Sequence, residues 1–201
     1  MLIGPALNLP SPGNQIPRRH YGPLRSIGLL WMRISGWRVI GELPNEARGI
    51  AVVAPHSSNW DFVHAIAAVF SLGLRVQFMG KHTLFRGPLG IFMRWVGGMP
   101  VDRADPQNIA ERVAQQIQNT PQIWLGITPE GTRSAGRSFK SGFHRIARAA
   151  DVPILPVALN YRKRVIEFLP AIKAGEDAAA EVEHLRALLM QHGCRREHAR
   201  R

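Results

Sequence analysis

Short apolar runs alternate with helical patterns along most of the chain, and this alternation limits the possible folds more than any other sequence feature. Strand-like apolar runs are found at residues 50–55, 74–80, 97–103, 122–127, 152–159 and 165–169. Helix-like segments are found at residues 62–72, 88–96, 105–119, 140–150 and 176–191. Alternating strands and helices predict one α/β domain whose mainly parallel, mixed sheet is flanked by helices on both faces.

Polar turns follow three of the predicted strands, after Ala54, Val101 and Ile127. In open α/β sheets, ligands bind at the carboxyl ends of the strands. We therefore expect these turns to lie at one edge of the sheet and to form a common site.

The composition is strongly basic. The 201 residues, a length that suits one domain with a substantial core, carry a formal net charge of +12. Such an excess is typical of proteins with a polyanionic partner, whether nucleic acid, anionic lipid or a phosphorylated substrate, although a solvated basic face gives the same count. Cys194 is the single cysteine, which excludes an internal disulfide and agrees with a reducing compartment. With His192 and His198 it has no recognised metal-ligand spacing, so we expect no metal site.

The two ends of the chain are predicted to be less ordered than its centre. Residues 1–22, rich in Pro, Gly and Asn and without signal-peptide features, read as a flexible tail. Residues 23–175 form the main domain, and residues 176–201 form a closing helix with a basic tail. The last part of this tail, from Arg195, is predicted to be disordered and able to contact an anionic surface.

Residues 24–40 are apolar but interrupted by three arginines and two glycines, and they include two tryptophans. The segment is too short and too charged for a membrane span. It fits an amphipathic helix that lies in a membrane interface. Packing of the same helix on the protein core is an equally good interpretation.

The hexapeptide His56-Ser57-Ser58-Asn59-Trp60-Asp61 joins a predicted strand to a predicted helix. A bend there can bring His56 and Asp61 together, and a carboxylate on one imidazole nitrogen orients the ring as a general base. Two structural interpretations compete with this one: Ser58 and Asp61 have the spacing of a helix capping box, and His56 can be a core or rim histidine. The chain has no Gly-x-Ser-x-Gly elbow, so the attacking group should belong to a substrate, and a hydrolase is disfavoured.

Four blocks in this order resemble the glycerolipid acyltransferase family, which includes bacterial 1-acyl-glycerol-3-phosphate acyltransferases. The blocks are the His-x4-Asp motif at 56–61, Gly-Gly-Met-Pro-Val-Asp-Arg at 97–103, Thr-Pro-Glu-Gly-Thr-Arg-Ser at 128–134, and the apolar run at 152–156. The resemblance covers residues 37–170. Thr128 stands where the family often has phenylalanine, which leaves the catalytic assignment intact.

The resemblance implies transfer of a fatty acyl group from acyl-coenzyme A or acyl-carrier protein to the hydroxyl of a lysolipid, without an acyl-enzyme intermediate. The acyl donor is a co-substrate, and no cofactor is expected. It makes His56 the general base and Asp61 its orienting partner. It assigns the acceptor's glycerophosphate head to Arg103, Glu130, Gly131, Thr132 and Arg133. An acid repels a phosphate, so we expect Glu130 to hold an arginine or a glycerol hydroxyl.

The expected partners are a lysophospholipid, the acyl donor and an anionic membrane surface. The amino-terminal apolar region is shorter than in family members with clear spans, so we expect peripheral or monotopic attachment at the cytoplasmic face of a bacterial inner membrane. Another acceptor, such as lyso-ornithine lipid, remains open. A basic nucleic-acid-binding module is a more remote alternative, because the positive residues are dispersed and no recognition pattern occurs.

Overall fold

A computed structural model describes residues 8–101, 106–131 and 138–196 of the chain. Within these ranges it contains the helices α1 Gly22–Ser35, α2 Asn59–Ser71, α3 Gly87–Trp95, α4 Pro106–Asn119, α5 Gly142–Ala150 and α6 Ala178–His192. The strands are β1 Arg38–Gly41, β2 Arg48–Ala54, β3 Val76–Lys81, β4 Gly98–Val101, β5 Ile123–Ile127, β6 Ile154–Asn160 and β7 Val165–Phe168. A short 3₁₀ helix, His82–Phe85, joins β3 to α3.

The strands form one sheet in the order β1-β7-β6-β2-β5-β3-β4. Neighbouring strands are parallel except β6 and β7, which are joined by a short turn and run antiparallel. The predicted mainly parallel, mixed sheet is therefore confirmed. Because β2 lies between β5 and β6, the turns that follow these three strands are neighbours at one edge of the sheet.

Helices cover both faces of the sheet, as predicted. On one face, α4, α5 and α6 contribute buried apolar residues to the larger core cluster. The stripe of α5 has helical spacing, and its members Phe143, Ile146, Ala147 and Ala150 are all buried. On the other face, α1 and α2 pack against each other and on the sheet.

Helix α1 accounts for only the first part of the predicted 24–40 helix. Gly36 adopts a left-handed conformation with φ of 72°, which ends the helix, and β1 then pairs with β7 at the sheet edge. Leu24, Gly28 and Met32 are buried, whereas the opposite side of α1 is exposed and apolar. The helix is thus packed on the core along one side, and no described helix combines the length and hydrophobicity that a membrane crossing requires.

Part of the predicted flexible amino-terminal tail packs on the domain. Ile16 is buried in the core cluster that includes α1. The Arg19 amide donates to the Gly73 carbonyl at 2.9 Å, and the Arg75 amide donates to the Pro17 carbonyl at 2.9 Å. One apolar anchor and these backbone bonds hold a segment whose composition resembles that of a linker. Residues 1–7 lie outside the described ranges.

Candidate active site

The turn between β2 and α2 contains the His-x4-Asp motif. Ser58 is the N-cap of α2, and its hydroxyl accepts from the Trp60 amide at 3.1 Å. The Asp61 Oδ2 atom accepts from the Ser57 and Ser58 amides at 2.5 and 2.7 Å, which completes a capping box. The same Oδ2 atom lies 3.1 Å from His56 Nδ1. The capping interpretation of Asp61 is therefore confirmed, and the same carboxylate also makes the predicted contact with His56.

His56 is accessible, whereas Asp61 is not. The side chain of His56 is 21% exposed and that of Asp61 is 2% exposed. Asp61 occupies Nδ1, and Nε2 of His56 has no hydrogen-bond partner among the residues that the structure describes. The imidazole is therefore not a core histidine, and Nε2 is the nitrogen available to a substrate.

The Asp61 carboxylate is kept ionised. Burial alone raises the pKa of Asp61, but the hydrogen bonds from His56, from the Ser57 and Ser58 amides and from Tyr161 outweigh it and lower the pKa to about 2. A carboxylate that stays charged at neutral pH accepts the Nδ1–H of His56 and stabilises an imidazolium when one forms.

Tyr161 is a site residue that the sequence analysis missed. It directly follows β6, and its hydroxyl donates to Asp61 Oδ1 at 2.5 Å. Its ring meets the Trp37 ring edge-on, with centroids 4.9 Å apart. Burial, and then the hydrogen bond to Asp61, raise the pKa of Tyr161, so it remains a donor at neutral pH. Its position after a strand of the fourth block was the one available signal.

A second histidine, His64, lies on α2 one turn after Asp61, but it is unsuited to accept a proton from a substrate. It is buried, stacks on Trp37 with centroids 4.2 Å apart, and accepts from Trp31 Nε1 at 3.2 Å through Nδ1. Burial chiefly lowers the pKa of His64 to about 4; Asp61 opposes this shift and Arg196 adds to it. His64 is therefore neutral and part of an aromatic layer beside the site.

The turn after β5 brings the third block against the first. Glu130 is 3% exposed, and its Oε1 atom accepts from the His56 amide at 2.7 Å. Its Oε2 atom forms an ion pair with Arg195 Nη1 at 3.1 Å. Both carboxylate oxygens thus have partners inside the protein, and one partner is an arginine, as expected. Gly131 follows with φ of 66°, beside the Lys140 side chain.

The start of the basic tail is ordered, in contrast to the prediction. After α6, the Arg195 Nη2 atom donates to the His56 carbonyl at 3.1 Å. The Arg196 amide donates to the Ser57 hydroxyl at 3.2 Å. Residues 195 and 196 therefore belong to the site, and residues 197–201 lie outside the described ranges.

Three predicted acceptor-binding residues, Arg103, Thr132 and Arg133, lie outside the described ranges, so their roles stay predictions. Within those ranges, the predicted residues His56, Asp61, Glu130 and Gly131 come from the turns after β2 and β5. These strands are adjacent and parallel, which explains why the two turns meet. In the same part of the chain, no group of His, Cys, Asp and Glu side chains has the arrangement of a metal site.

Fold and site together define an α/β protein with an accessible histidine, bonded to a buried carboxylate, at the carboxyl edge of its sheet. Residues 37–160 match the Acyltransferase family. The chain is 31% identical over 161 residues to a 1-acyl-sn-glycerol-3-phosphate acyltransferase of Salmonella typhimurium, covering 69% of this chain and 64% of the relative. Identity to the Escherichia coli 1-acyl-sn-glycerol-3-phosphate acyltransferase is 30% over 169 residues, covering 73% and 68%.

The chain therefore belongs to the Acyltransferase family, which confirms the resemblance predicted from the four blocks. It spans just under two thirds of the length of its Salmonella relative. The crystal structure of the Thermotoga maritima 1-acyl-sn-glycerophosphate acyltransferase has the same fold, with a TM-score of 0.62 and 18% identity, covering 84% of this chain and 76% of that one.

Proposed function

We propose that the protein is an O-acyltransferase that moves a fatty acyl group from acyl-coenzyme A or acyl-carrier protein to the hydroxyl of a lysophospholipid. The proposed acceptor is 1-acyl-glycerol-3-phosphate and the product is phosphatidic acid. The observation that carries the proposal is the contact of 3.1 Å between His56 Nδ1 and the buried Asp61 carboxylate, which leaves Nε2 for a substrate. The related proteins of Salmonella typhimurium and Escherichia coli, which are named as 1-acyl-sn-glycerol-3-phosphate acyltransferases, support the choice of acceptor.

The reaction needs a base but no enzyme nucleophile. Asp61 accepts the Nδ1–H of His56, so the lone pair is on Nε2. With the acceptor hydroxyl about 3–3.5 Å from the thioester carbonyl carbon, its proton passes to Nε2 while its oxygen forms the new ester bond. The carbon–sulfur bond then breaks, and the leaving thiolate takes the proton from the imidazolium. The transfer consumes no water and involves no oxidation or reduction.

The acceptor head is assigned to groups that can bind a phosphate. Arg103 and Arg133 carry planar guanidinium forks that suit a phosphate, and Gly131 permits close approach of the backbone. Thr132 supplies a hydroxyl. Glu130 has both carboxylate oxygens engaged within the protein, which favours a supporting role for this side chain over contact with the acceptor.

Exposed apolar residues on two helices support attachment to a membrane surface. Ile34 on α1 is 75% exposed and Ile91 on α3 is 72% exposed. Further large apolar residues are exposed on the same helices, namely Ile27, Leu30, Leu89, Phe92 and Trp95. A cleft of about 480 Å³ beside the start of α1 is lined by Arg18, Arg19, His20 and Arg25, among others. Apolar side chains next to positive charge match an anionic lipid surface, at which the protein would be peripheral or monotopic on the cytoplasmic face.

Vesicle sedimentation tests this attachment. Because α1 also packs into the core, the test replaces exposed residues and leaves the helix in place: Ile27→Gln, Leu30→Gln and Ile34→Gln together. We expect the variant to lose most of its binding to vesicles that contain phosphatidylglycerol, while its thermal unfolding is unchanged. Ile40→Gln, at an exposed position on β1, is the matched control. Equal sedimentation of both variants would contradict attachment through α1.

Product identification tests the reaction itself. Purified protein is incubated with labelled acyl-coenzyme A or acyl-carrier protein and a panel of lysolipids that includes 1-acyl-glycerol-3-phosphate and lyso-ornithine lipid. We expect phosphatidic acid as the main product by mass. A different acylated lipid as the main product would replace 1-acyl-glycerol-3-phosphate as the proposed acceptor. Label found only in free fatty acid would indicate a hydrolase.

A further inference from the structure

The loop after α6, residues 193–196, returns to the active site along β6. The Cys194 amide donates to the Leu159 carbonyl at 2.9 Å, and the Tyr161 amide donates to the Cys194 carbonyl at 3.1 Å. Gly193 passes so close to the motif that a Cβ atom there would lie 2.4 Å from Pro55 Cδ. These contacts fix the position from which Arg195 reaches the His-x4-Asp turn.

Arg195 and Glu130 together hold the main chain of His56. Glu130 Oε1 accepts from the His56 amide at 2.7 Å, and Arg195 Nη2 donates to the His56 carbonyl at 3.1 Å. The ion pair between Arg195 Nη1 and Glu130 Oε2, also at 3.1 Å, closes the ring of contacts. The side chain of Arg195 is only 12% exposed. We call this arrangement the Glu130–Arg195 clamp.

We propose that Arg195 is a positioning residue for acyl transfer: through the Glu130–Arg195 clamp it fixes the backbone of His56 and thereby the imidazole relative to Asp61 and the substrates. This inference rests on the proposed function. Because His56 lies between β2 and α2, neither strand nor helix hydrogen bonds fix its backbone. The Glu130–Arg195 clamp supplies a hydrogen bond to its amide and another to its carbonyl instead. A base displaced by about 1 Å can cost about 100-fold in rate.

The clamp also balances charge beside the base. In the described part of the chain, the charged groups that contact His56 are Asp61 on α2, Glu130 after β5 and Arg195 after α6. Three titratable groups lie one contact further away: Tyr161 and His64 interact with Asp61, and Arg196 contacts Ser57. Removing the charge of Arg195 leaves Glu130 uncompensated, which favours the imidazolium form. Removing the charge of Glu130 leaves Arg195 uncompensated, which has the opposite effect.

The experiment measures kcat, the acceptor KM and the pH profile for Arg195→Gln, Glu130→Gln and Arg195→Lys. We expect Arg195→Gln to lower kcat by about 10- to 100-fold with little change in KM, because positioning acts on the chemical step. The acid limb of kcat/KM should move up by about 0.5–1 pH unit in Arg195→Gln and down by a similar amount in Glu130→Gln. Arg195→Lys keeps the positive charge but lacks the planar guanidinium. The acid limb of its kcat/KM profile should therefore stay at the wild-type pH, and its kcat should lie between those of the wild type and Arg195→Gln.

Arg186→Gln is the matched control, because Arg186 forms an exposed pair with Glu183 on α6. Its kinetics and pH profile should equal those of the wild type. Three results would overturn the proposal. The first is a wild-type kcat in Arg195→Gln, and the second is a rise in the acceptor KM of that variant with no change in kcat. The third is a shift of the acid limb of kcat/KM in the same direction in Arg195→Gln and Glu130→Gln. Should Arg195→Gln fail to fold by circular dichroism, Glu130→Gln and Arg195→Lys carry the same test.

An NMR titration of the His56 imidazole separates failure of the clamp from failure of the proposed function. Opposite displacements of its midpoint in Arg195→Gln and Glu130→Gln support the clamp even if the wild type acylates no lysolipid. Equal midpoints in all three proteins would overturn the clamp even if the wild type makes phosphatidic acid.

Discussion

Replacing Tyr161 by Phe removes one hydroxyl of the site, which bonds to Asp61 and also lies 3.3 Å from the Ser58 hydroxyl. The change removes the hydroxyl that donates to Asp61 Oδ1 at 2.5 Å but keeps the ring that packs against Trp37 and His64. A hydrogen bond to a charged group contributes about 1.5–3 kcal/mol, and Asp61 retains its donors at Ser57, Ser58 and His56. We therefore expect the free energy of unfolding to fall by about 1–2 kcal/mol.

The same substitution should slow the reaction without removing the base. The carboxylate loses one of several interactions that lower its pKa, so it stays ionised at pH 7 but is held less firmly against His56. A loss of about 1.4 kcal/mol in orientation corresponds to about tenfold in kcat. Tyr21→Phe is the control, because Tyr21 is exposed. The assay combines urea unfolding with kcat at pH 7, and wild-type values for both in Tyr161→Phe would refute a supporting role for the hydroxyl.

Three further substitutions test the base, its partner and the helix contact. His56→Ala should lower kcat by about 10²- to 10⁴-fold while thermal unfolding stays near wild type. Wild-type turnover in this variant would show that His56 is not the general base. Asp61→Asn should lower kcat by at least about 10²-fold with a smaller change in acceptor KM. Gly28→Ala should destabilise by about 1–3 kcal/mol in urea, because its Cβ would lie 2.6 Å from the Ser71 amide, whereas Gly22→Ala meets nothing within 4 Å and should be neutral.

Acid unfolding gives a second measurement on Asp61→Asn. The pKa of Asp61 is about 2 in the folded protein and about 3.9 when unfolded, so its ionised form stabilises the fold above about pH 4. That contribution, about 2 kcal/mol, is lost as the pH falls from about 4 to 2. The wild type should therefore lose more stability over this interval than Asp61→Asn. Equal losses would mean that Asp61 is not held as an anion in the folded state.

The sequence predicted those features of the fold that depend on local patterns. The alternation of apolar runs and helical segments was sufficient for the sheet class, and the order of the turns was sufficient to place His56, Asp61 and Glu130 at one edge. Gly36 ended the predicted 24–40 helix early, because a single left-handed residue outweighs the apolar pattern around it. Ile16 similarly anchors a segment whose Pro and Gly content indicated a tail.

Contacts between distant parts of the chain could not be predicted in the same way. Tyr161 lies 100 residues from Asp61, and Arg195 lies 139 residues from His56. Tyr161 reaches Asp61 because β6 is adjacent to β2, a neighbour relationship that strand patterns do not specify. Arg195 lies in a basic run of the kind that is usually solvated, and its ion pair with the buried Glu130 joins two turns that no local sequence pattern brings together.

The two interpretations of Asp61 were alternatives in the sequence but are a single arrangement in the protein. Oδ2 caps the first turn of α2 and bonds to His56, while Oδ1 accepts from Tyr161. The carboxylate that bonds to His56 is therefore itself oriented by the start of a helix, whose first amides favour negative charge. Since α2 is packed against α1 through Gly28, a disturbance of that helix contact should displace the base as well as destabilise the fold. Gly28→Ala should accordingly lower kcat in the folded fraction, a result that a purely structural role of α1 would not produce.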